Sequence, residues 1–76
     1  MSYEAAQARF VERLEAIREK RRMSKKAFSL FLGLSPYTYD HYVSRGGMPG
    51  LFTAMQMAEK LGTTLDGLLG IKGGTK

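Results

Sequence analysis

Only about three residues separate the second helical segment of this chain from the third. Ser24 can cap a helix over residues 25–32, and Gly33 supplies the left-handed residue that ends such a helix. Ser35 followed by Pro36 then starts the next helix, because proline is tolerated at the first helical position. Two helices joined by so short a turn form the helix-turn-helix arrangement.

The apolar run at residues 27–34 would by itself also fit a short buried strand. The serine before it and the glycine after it favour the helix. Apolar residues spaced three or four apart, with similar start and stop signals, predict the other helices at residues 3–22, 36–44, 51–61 and 65–69. The sequence therefore predicts an all-α, compact five-helix domain over residues 1–72 and a frayed tail at 73–76. Helices two and three form a helix-turn-helix.

The composition excludes several classes of function. The chain has 76 residues, no cysteine and a single histidine, His41, so we expect no disulfide, no metal centre and no thiol chemistry. No carboxylate pair, catalytic triad or phosphate-binding glycine loop is recognisable, so we expect neither an enzyme nor a cofactor. The longest uncharged runs have 13 residues, below the ~20 that a membrane helix needs. The first residues include an acid and no apolar stretch, so we expect no signal peptide and a cytoplasmic location.

The positive charge of the chain is concentrated in one short segment. The net charge is +5, and residues 18–26 hold six of the twelve basic side chains against one acid, Glu19. A concentrated basic patch predicts an anionic partner, which is a nucleic acid, an anionic membrane surface or an acidic protein. The alternative is a solvated surface whose cations complement the dipole at the end of the first helix.

Several short motifs follow one another in a characteristic order over residues 13–70. An apolar residue precedes the cap of helix two, a turn of the form apolar-Gly-apolar-Ser follows it, and a proline precedes helix four. A Leu-Gly-x-Thr-Leu-Asp-x-Leu-Leu tail ends the run. These motifs are Met23-Ser24, Leu32-Gly33-Leu34-Ser35, Pro49 and residues 61–69, with Ile17, Arg18 and Arg21 at the end of helix one. In these features the chain resembles the lambda-repressor/Cro-like (XRE-type) helix-turn-helix family.

The resemblance implies that the chain binds double-stranded DNA and inserts its third helix into the major groove. It places four residues against base edges: Pro36, Tyr37, Thr38 and His41. It places seven residues against phosphates: Arg18, Arg21, Arg22, Lys25, Lys26, Ser44 and Arg45. In relatives a glutamate after helix three pairs with the first of these arginines. Because Val43 stands at that place here, we expect Arg18 to be free for phosphate.

Four side chains of helix three leave alternatives open. Tyr39 and Tyr42 could stack on bases as in single-strand binders, but their helical spacing favours the buried face. Asp40 argues against contact with phosphate, although it could accept a hydrogen bond from a cytosine amino group or pair with Arg45. His41 is either a base-reading donor or an ordinary surface histidine.

The function predicted from these features is that of a sequence-specific transcriptional regulator. A small stand-alone repressor acting as a homodimer fits best, of phage Cro-like, restriction-controller-like or antitoxin-like type. The dimer is expected to form through Leu65, Leu68 and Ile71. The alternative is a protein-interaction module on the same fold, which binds another regulator through Leu30, Phe31 and Phe52. A membrane partner is not expected.

Overall fold

The computed structural model of the chain describes residues 2–69. Five helices follow one another in this part of the chain: α1 (Tyr3–Lys20), α2 (Lys25–Phe31), α3 (Thr38–Arg45), α4 (Leu51–Lys60) and α5 (Leu65–Leu69). Residues 2–69 contain no strand, and the predicted all-α fold is confirmed. Ile71 and the predicted tail at 73–76 lie outside the described residues.

Every helix contributes to one hydrophobic core. Its buried side chains are Phe10, Leu14, Phe28, Leu32, Tyr39, Tyr42, Ala54, Met57, Ala58 and Leu68. The ring of Tyr39 meets that of Phe28 edge to face, with centroids 5.0 Å apart, and the ring of Tyr42 meets that of Phe10 at 5.8 Å. Such edge contacts between aromatic rings are favourable. The predicted burial of both tyrosines is therefore confirmed.

Three helices end in the same pattern of backbone hydrogen bonds. After α1, α2 and α4, the N–H groups of two successive residues donate to carbonyls of the last turn of the helix. The first of the two residues adopts a left-handed conformation. That residue is Gly33 after α2 and Gly62 after α4, as glycine's lack of a Cβ favours. After α1 it is Arg22, at φ 57°. This left-handed residue explains why α1 ends at Lys20 and not at the predicted residue 22.

Two predicted helix caps are confirmed and one helix start is displaced. The hydroxyl of Ser24 accepts the N–H of Ala27 at 3.0 Å, and that of Thr64 accepts the N–H of Gly67 at 3.0 Å. Helix α3 begins at Thr38 instead of Pro36. The N–H of Thr38 donates to the carbonyl of Ser35 at 3.2 Å, which makes residues 35–38 a tight turn before the helix proper.

The structure corrects one residue of the predicted dimer interface. Leu68 is fully buried among the core residues, so its side chain has no surface to offer a second copy of the chain. It packs inward because a helix of five residues is stable only through its tertiary contacts. Leu65 packs partly against the core and keeps part of its side chain exposed. Among the helices of residues 2–69, none combines the length and apolar character required to span a membrane.

Candidate nucleic-acid interface

The start of α3 is fixed to α2 by one buried hydroxyl. Ser29 has no exposed surface, although its neighbours in the sequence are apolar. Its hydroxyl donates to the carbonyl of Ser35 and accepts the N–H of Tyr39 at 3.2 Å. Both partners are backbone groups of the turn and of the first turn of α3. Ser29 therefore sets the position at which α3 leaves the turn.

The end of α3 is fixed by side chains from the first half of α1. The amide of Gln7 donates to the carbonyls of Tyr42 at 2.8 Å and Gly47 at 3.2 Å. The hydroxyl of Tyr3 donates to the carbonyl of Gly46 at 2.8 Å. These bonds satisfy carbonyls that a helix end otherwise leaves without partners. Helix α3 is therefore held at both ends as well as along its buried face.

A third set of polar contacts joins α1, the turn after it and α3. The guanidinium of Arg18 makes two bonds to the carboxylate of Glu15, at 2.7 and 3.0 Å, and a third to the carbonyl of Met23 at 2.8 Å. The hydroxyl of Tyr39 donates to the same carboxylate at 2.6 Å. The hydrogen bonds from Arg18 lower the pKa of Glu15, and burial together with Glu15 raises the pKa of Tyr39.

This arrangement shows that the prediction of a free Arg18 is wrong. Val43 indeed leaves the usual glutamate position empty of charge, but Glu15 supplies a carboxylate from the preceding turn of α1. The spacing of three residues brings the two side chains together on one helix. Because only 17% of the Arg18 side chain is exposed and all three of its nitrogens make hydrogen bonds, Arg18 serves as a structural anchor.

The four predicted base-contacting residues lie together at the start of α3. Tyr37 has 73% of its surface exposed and precedes the helix, and His41 is exposed one turn later. Pro36 and Thr38 are half-buried beside them. The imidazole of His41 lies close against Gly47. A Cβ added at that glycine would lie only 2.5 Å from Nδ1 of the ring. The exposed side of α3 thus carries aromatic, hydroxyl and imidazole groups.

The predicted phosphate-contacting residues differ in how strongly they are engaged. Within residues 2–69, no carboxylate lies within ion-pairing distance of Arg22, Lys26 or Arg45, and all three are exposed. The guanidinium of Arg21 lies 4.9 Å above the ring of Phe31, a cation–π contact. The ring of Phe31 also stacks on that of Phe28, with centroids 6.4 Å apart.

Two of the remaining residues contact the one acid of α3. The ammonium of Lys25 lies 3.3 Å from the carboxylate of Asp40, and the hydroxyl of Ser44 lies 3.4 Å from it. The suggested pair of Asp40 with Arg45 is therefore replaced by a pair with Lys25, one helix away. This link joins the beginning of α2 to the first turn of α3.

Ser29, Glu15 and Gln7 position the site and were not predicted as parts of it. Gln7 shares the inner face of α1 with Phe10 and Leu14, at spacings of three and seven residues. A polar residue on an apolar face is the signal that could have indicated a buried hydrogen bond there. The same reasoning applies to Ser29, which adjoins Phe28 on the inner face of α2.

The exposed apolar side chains lie on α2 and α4. Leu30 is 54% exposed and Phe52 is 72% exposed, whereas Phe31 packs partly against the core. Phe52 and Met55 line a groove between α4 and the segment leading into α5, which Leu65 closes on the other side. Met55 is 53% exposed and is therefore not the core residue that its apolar character suggests.

Comparison with known proteins supports the assignment that the geometry suggests. The sequence model of one family, described as helix-turn-helix, matches residues 14–68. No curated protein and no solved structure gives a significant match. The matched range contains α2, the tight turn and α3 in full, together with α4. The chain therefore belongs to the lambda-repressor/Cro-like helix-turn-helix family of DNA-binding transcription regulators.

Proposed function

We propose that this protein is a small stand-alone repressor that binds a specific sequence of double-stranded DNA as a homodimer. The observation that carries the proposal is that hydrogen bonds hold α3 at both ends, while its exposed side carries Tyr37 and His41. A recognition helix contacts only a few bases, so its orientation must be fixed by the rest of the domain. The hydrogen bonds at the two ends of α3 fix that orientation. Repression follows when a bound dimer covers a promoter.

Base recognition in this proposal falls to the first turn of α3 and the residues before it. The phenol of Tyr37 and the hydroxyl of Thr38 donate to acceptors on base edges, and His41 donates to a guanine acceptor. Pro36 makes an apolar contact beside them. In the major groove each of the four base pairs presents a different pattern of donors and acceptors, so these groups can distinguish one sequence from another.

Phosphate contact falls to the exposed cations around α2 and at the end of α3. Arg22, Lys26 and Arg45 are available without breaking an ion pair within the described residues, whereas Lys25 must first leave Asp40. Arg21 reaches phosphate from its place above Phe31, and Ser44 from the last turn of α3. Such contacts position the protein on DNA and supply most of its affinity, without carrying sequence information.

The homodimer is proposed because one module of this size reads too few bases. Two copies related by a two-fold axis read two half-sites about one helical turn apart. The groove lined by Phe52, Met55 and Leu65 offers an apolar surface to the second copy. Leu65 remains an interface residue in this proposal. Ile71 is also proposed for the interface, on the basis of the sequence alone.

A second candidate function is supported by the exposure of Leu30 and Phe52. Large apolar side chains that protrude from a small domain favour an interaction with another protein. In this alternative the protein binds another regulator through Leu30, Phe52 and the exposed part of Phe31. Binding of duplex DNA distinguishes the two functions.

The DNA-binding proposal is tested by a gel shift with random duplex DNA at several salt concentrations. We expect Arg22→Ala and Lys26→Ala each to weaken binding and to reduce the slope of log affinity against log salt by about one unit. The matched control is Lys60→Ala, which removes an exposed cation at the end of α4 and should leave the slope unchanged. Absence of duplex binding by the unaltered protein would favour the interaction module.

The homodimer is tested by sedimentation of the free protein and of its complex with DNA. We expect Phe52→Glu to yield monomers and to weaken operator binding, with the helical circular dichroism preserved. Leu30→Glu introduces the same charge at another exposed apolar position and should leave the dimer intact. A monomer both free and on DNA, with one chain per site, contradicts the homodimer.

A further inference from the structure

Asp40 is the only acidic residue between Glu19 and Glu59. The same stretch of the sequence contains six basic residues, so its charge is strongly positive apart from this one carboxylate. The carboxylate is not placed at the edge of this region. It stands in the first turn of α3, the helix that carries the proposed base contacts.

The position of Asp40 on α3 directs it to the same side as the proposed base-reading groups. It lies three residues after Tyr37, one before His41 and four before Ser44, which places all four on one face of the helix. About half of the Asp40 side chain is exposed, and it is not enclosed by the core. Its partners at 3.3 and 3.4 Å, the ammonium of Lys25 and the hydroxyl of Ser44, both belong to residues expected to touch phosphate.

A carboxylate in this position opposes binding to DNA in general. It repels the phosphates of any duplex, and it holds Lys25, which would otherwise be available to them. Both effects are independent of the base sequence. The unfavourable interaction is offset only where a donor on a base edge faces the carboxylate. In the major groove the amino group of cytosine is the donor that an aspartate accepts from.

On the basis of the proposed function, we propose that Asp40 is a specificity-determining residue that suppresses binding to non-cognate duplexes. On a cognate site its carboxylate accepts a hydrogen bond from a cytosine amino group, and Lys25 turns to a phosphate. On other sequences the carboxylate remains unpaired against the groove or stays with Lys25. The Lys25–Asp40 pair is thus the resting arrangement of the free protein.

A purely structural role for Asp40 makes different predictions. An acid in the first turn favours a helix through its dipole, and an exposed ion pair contributes a little to stability. Removal of such an acid would lower the melting temperature and leave the choice of DNA sequence unchanged. Sequence preference is therefore the measurement that separates the two roles.

The test compares the unaltered protein with Asp40→Asn, which removes the charge and keeps the shape. Affinity for random duplex is measured across a salt series, and preferred sites are selected from a pool of randomised duplexes. We expect Asp40→Asn to bind random duplex about fivefold more tightly, the effect of one unit charge at about 4 Å in water. Its salt slope should steepen by about one unit as Lys25 reaches phosphate. The selected sites should lose one cytosine, with adenine enriched in its place, because asparagine reads adenine.

Two further variants control this test. Glu12→Gln makes the same chemical change at an exposed position of α1 and should alter neither affinity nor selected sites. Lys25→Ala removes the partner and leaves the carboxylate, so it should weaken binding to random duplex while the selected cytosine persists. Melting curves followed by circular dichroism report whether each variant is folded.

The outcomes separate the inference from the function on which it rests. If Asp40→Asn and the unaltered protein bind random duplex equally and select the same sites, Asp40 is not a specificity determinant, although the protein binds DNA. If the cytosine is lost in Lys25→Ala as well, the preference does not come from Asp40 and the inference is also overturned. If no duplex is bound by any of the proteins, the proposed function itself fails.

Discussion

The turn between α1 and α2 and the turn between α2 and α3 share one backbone design but differ in chemistry. Each is closed by the same reverse hydrogen bonds, and each is anchored by a side chain that donates to a carbonyl of the turn. In the first turn the anchor is the charged Arg18 and the left-handed residue is Arg22. In the second turn the anchor is the neutral, buried Ser29 and the left-handed residue is Gly33.

The second turn, with glycine at the left-handed position, favours stability. The first turn keeps a charged arginine at that position and loses some stability through its backbone conformation. A residue with a Cβ in the left-handed conformation costs about 1–2 kcal/mol, which glycine avoids. The second turn avoids that cost and sets the exit of α3. The first turn accepts it at Arg22, one of the proposed phosphate contacts. Backbone strain at a residue with a proposed function is the pattern expected where binding constrains the sequence.

The largest expected effect concerns the anchor of the second turn. Ser29→Ala removes the hydroxyl, so the N–H of Tyr39 loses its partner and the carbonyl of Ser35 keeps only the N–H of Thr38. We expect a loss of about 1–3 kcal/mol in the free energy of unfolding, measured by urea denaturation. Ser44→Ala removes an exposed hydroxyl from α3 and should cost less than about 0.5 kcal/mol. Equal effects of the two variants would show that Ser29 is not an anchor.

The next effect concerns the glycine of the second turn. A Cβ added at Gly33 would meet no atom within 4 Å, so the cost of Gly33→Ala arises from the backbone alone. We expect a loss of about 1–2 kcal/mol. Gly33→Asn should cost less, because asparagine tolerates the left-handed region better than alanine. The same denaturation experiment measures both, and an Asn variant no better than the Ala variant would contradict the backbone explanation.

The corresponding change in the first turn should have the opposite sign. Arg22→Gly relieves the left-handed conformation at φ 57° and, after the greater freedom of glycine in the unfolded chain, should stabilise the protein by about 0.5–1 kcal/mol. It should also weaken binding to duplex DNA. Arg22→Ala removes the same charge but keeps the Cβ, so it should weaken DNA binding without the gain in stability. A gain in both variants would place its origin in the charge and not in the backbone.

The smallest effect is the pH dependence of the first turn's anchor. Arg18 lowers the pKa of Glu15 in the folded protein, so the unfolded chain binds more protons near the ordinary glutamate pKa of about 4.3. The pair's contribution is therefore complete above that pH and is lost as the pH falls through the lowered pKa of the folded state. We expect Glu15→Gln to destabilise by at most about 1 kcal/mol at pH 7 and by less at pH 3. The cost of Ser29→Ala should stay constant over the same range, because that anchor carries no charge.

The helical pattern and the aromatic core could be predicted because they depend on local order in the sequence. Ser24, Gly33 and Thr64 act through neighbours three or four residues away, and the spacing of Tyr39 and Tyr42 determines the face on which they lie. Such signals survive in any compact arrangement of the helices. The prediction of the fold therefore needed no knowledge of how the helices are placed.

The polar contacts that hold α3 could not be predicted in the same way. Gln7 reaches a carbonyl 35 residues later, and Tyr39 reaches Glu15 across 24 residues. Tertiary packing determines which groups so distant in sequence become hydrogen-bond partners. The spacing of apolar residues along the sequence predicts helices and buried faces but not these polar pairs. Arg18 shows the limit most clearly, since a missing glutamate in one place was replaced by a carboxylate in another.

The contacts between the first half of α1 and α3 matter for any attempt to transfer the helix-turn-helix into another protein. Residues 14–68, the part shared with the family, contain the whole helix-turn-helix but omit Tyr3, Gln7 and Phe10. A graft of that range would uncover the ring of Tyr42 and leave the carboxyl end of α3 without its two donors. The transplanted α3 would keep its base-contacting residues but lose the contacts that fix its orientation. In this chain the smallest portable unit begins near residue 3.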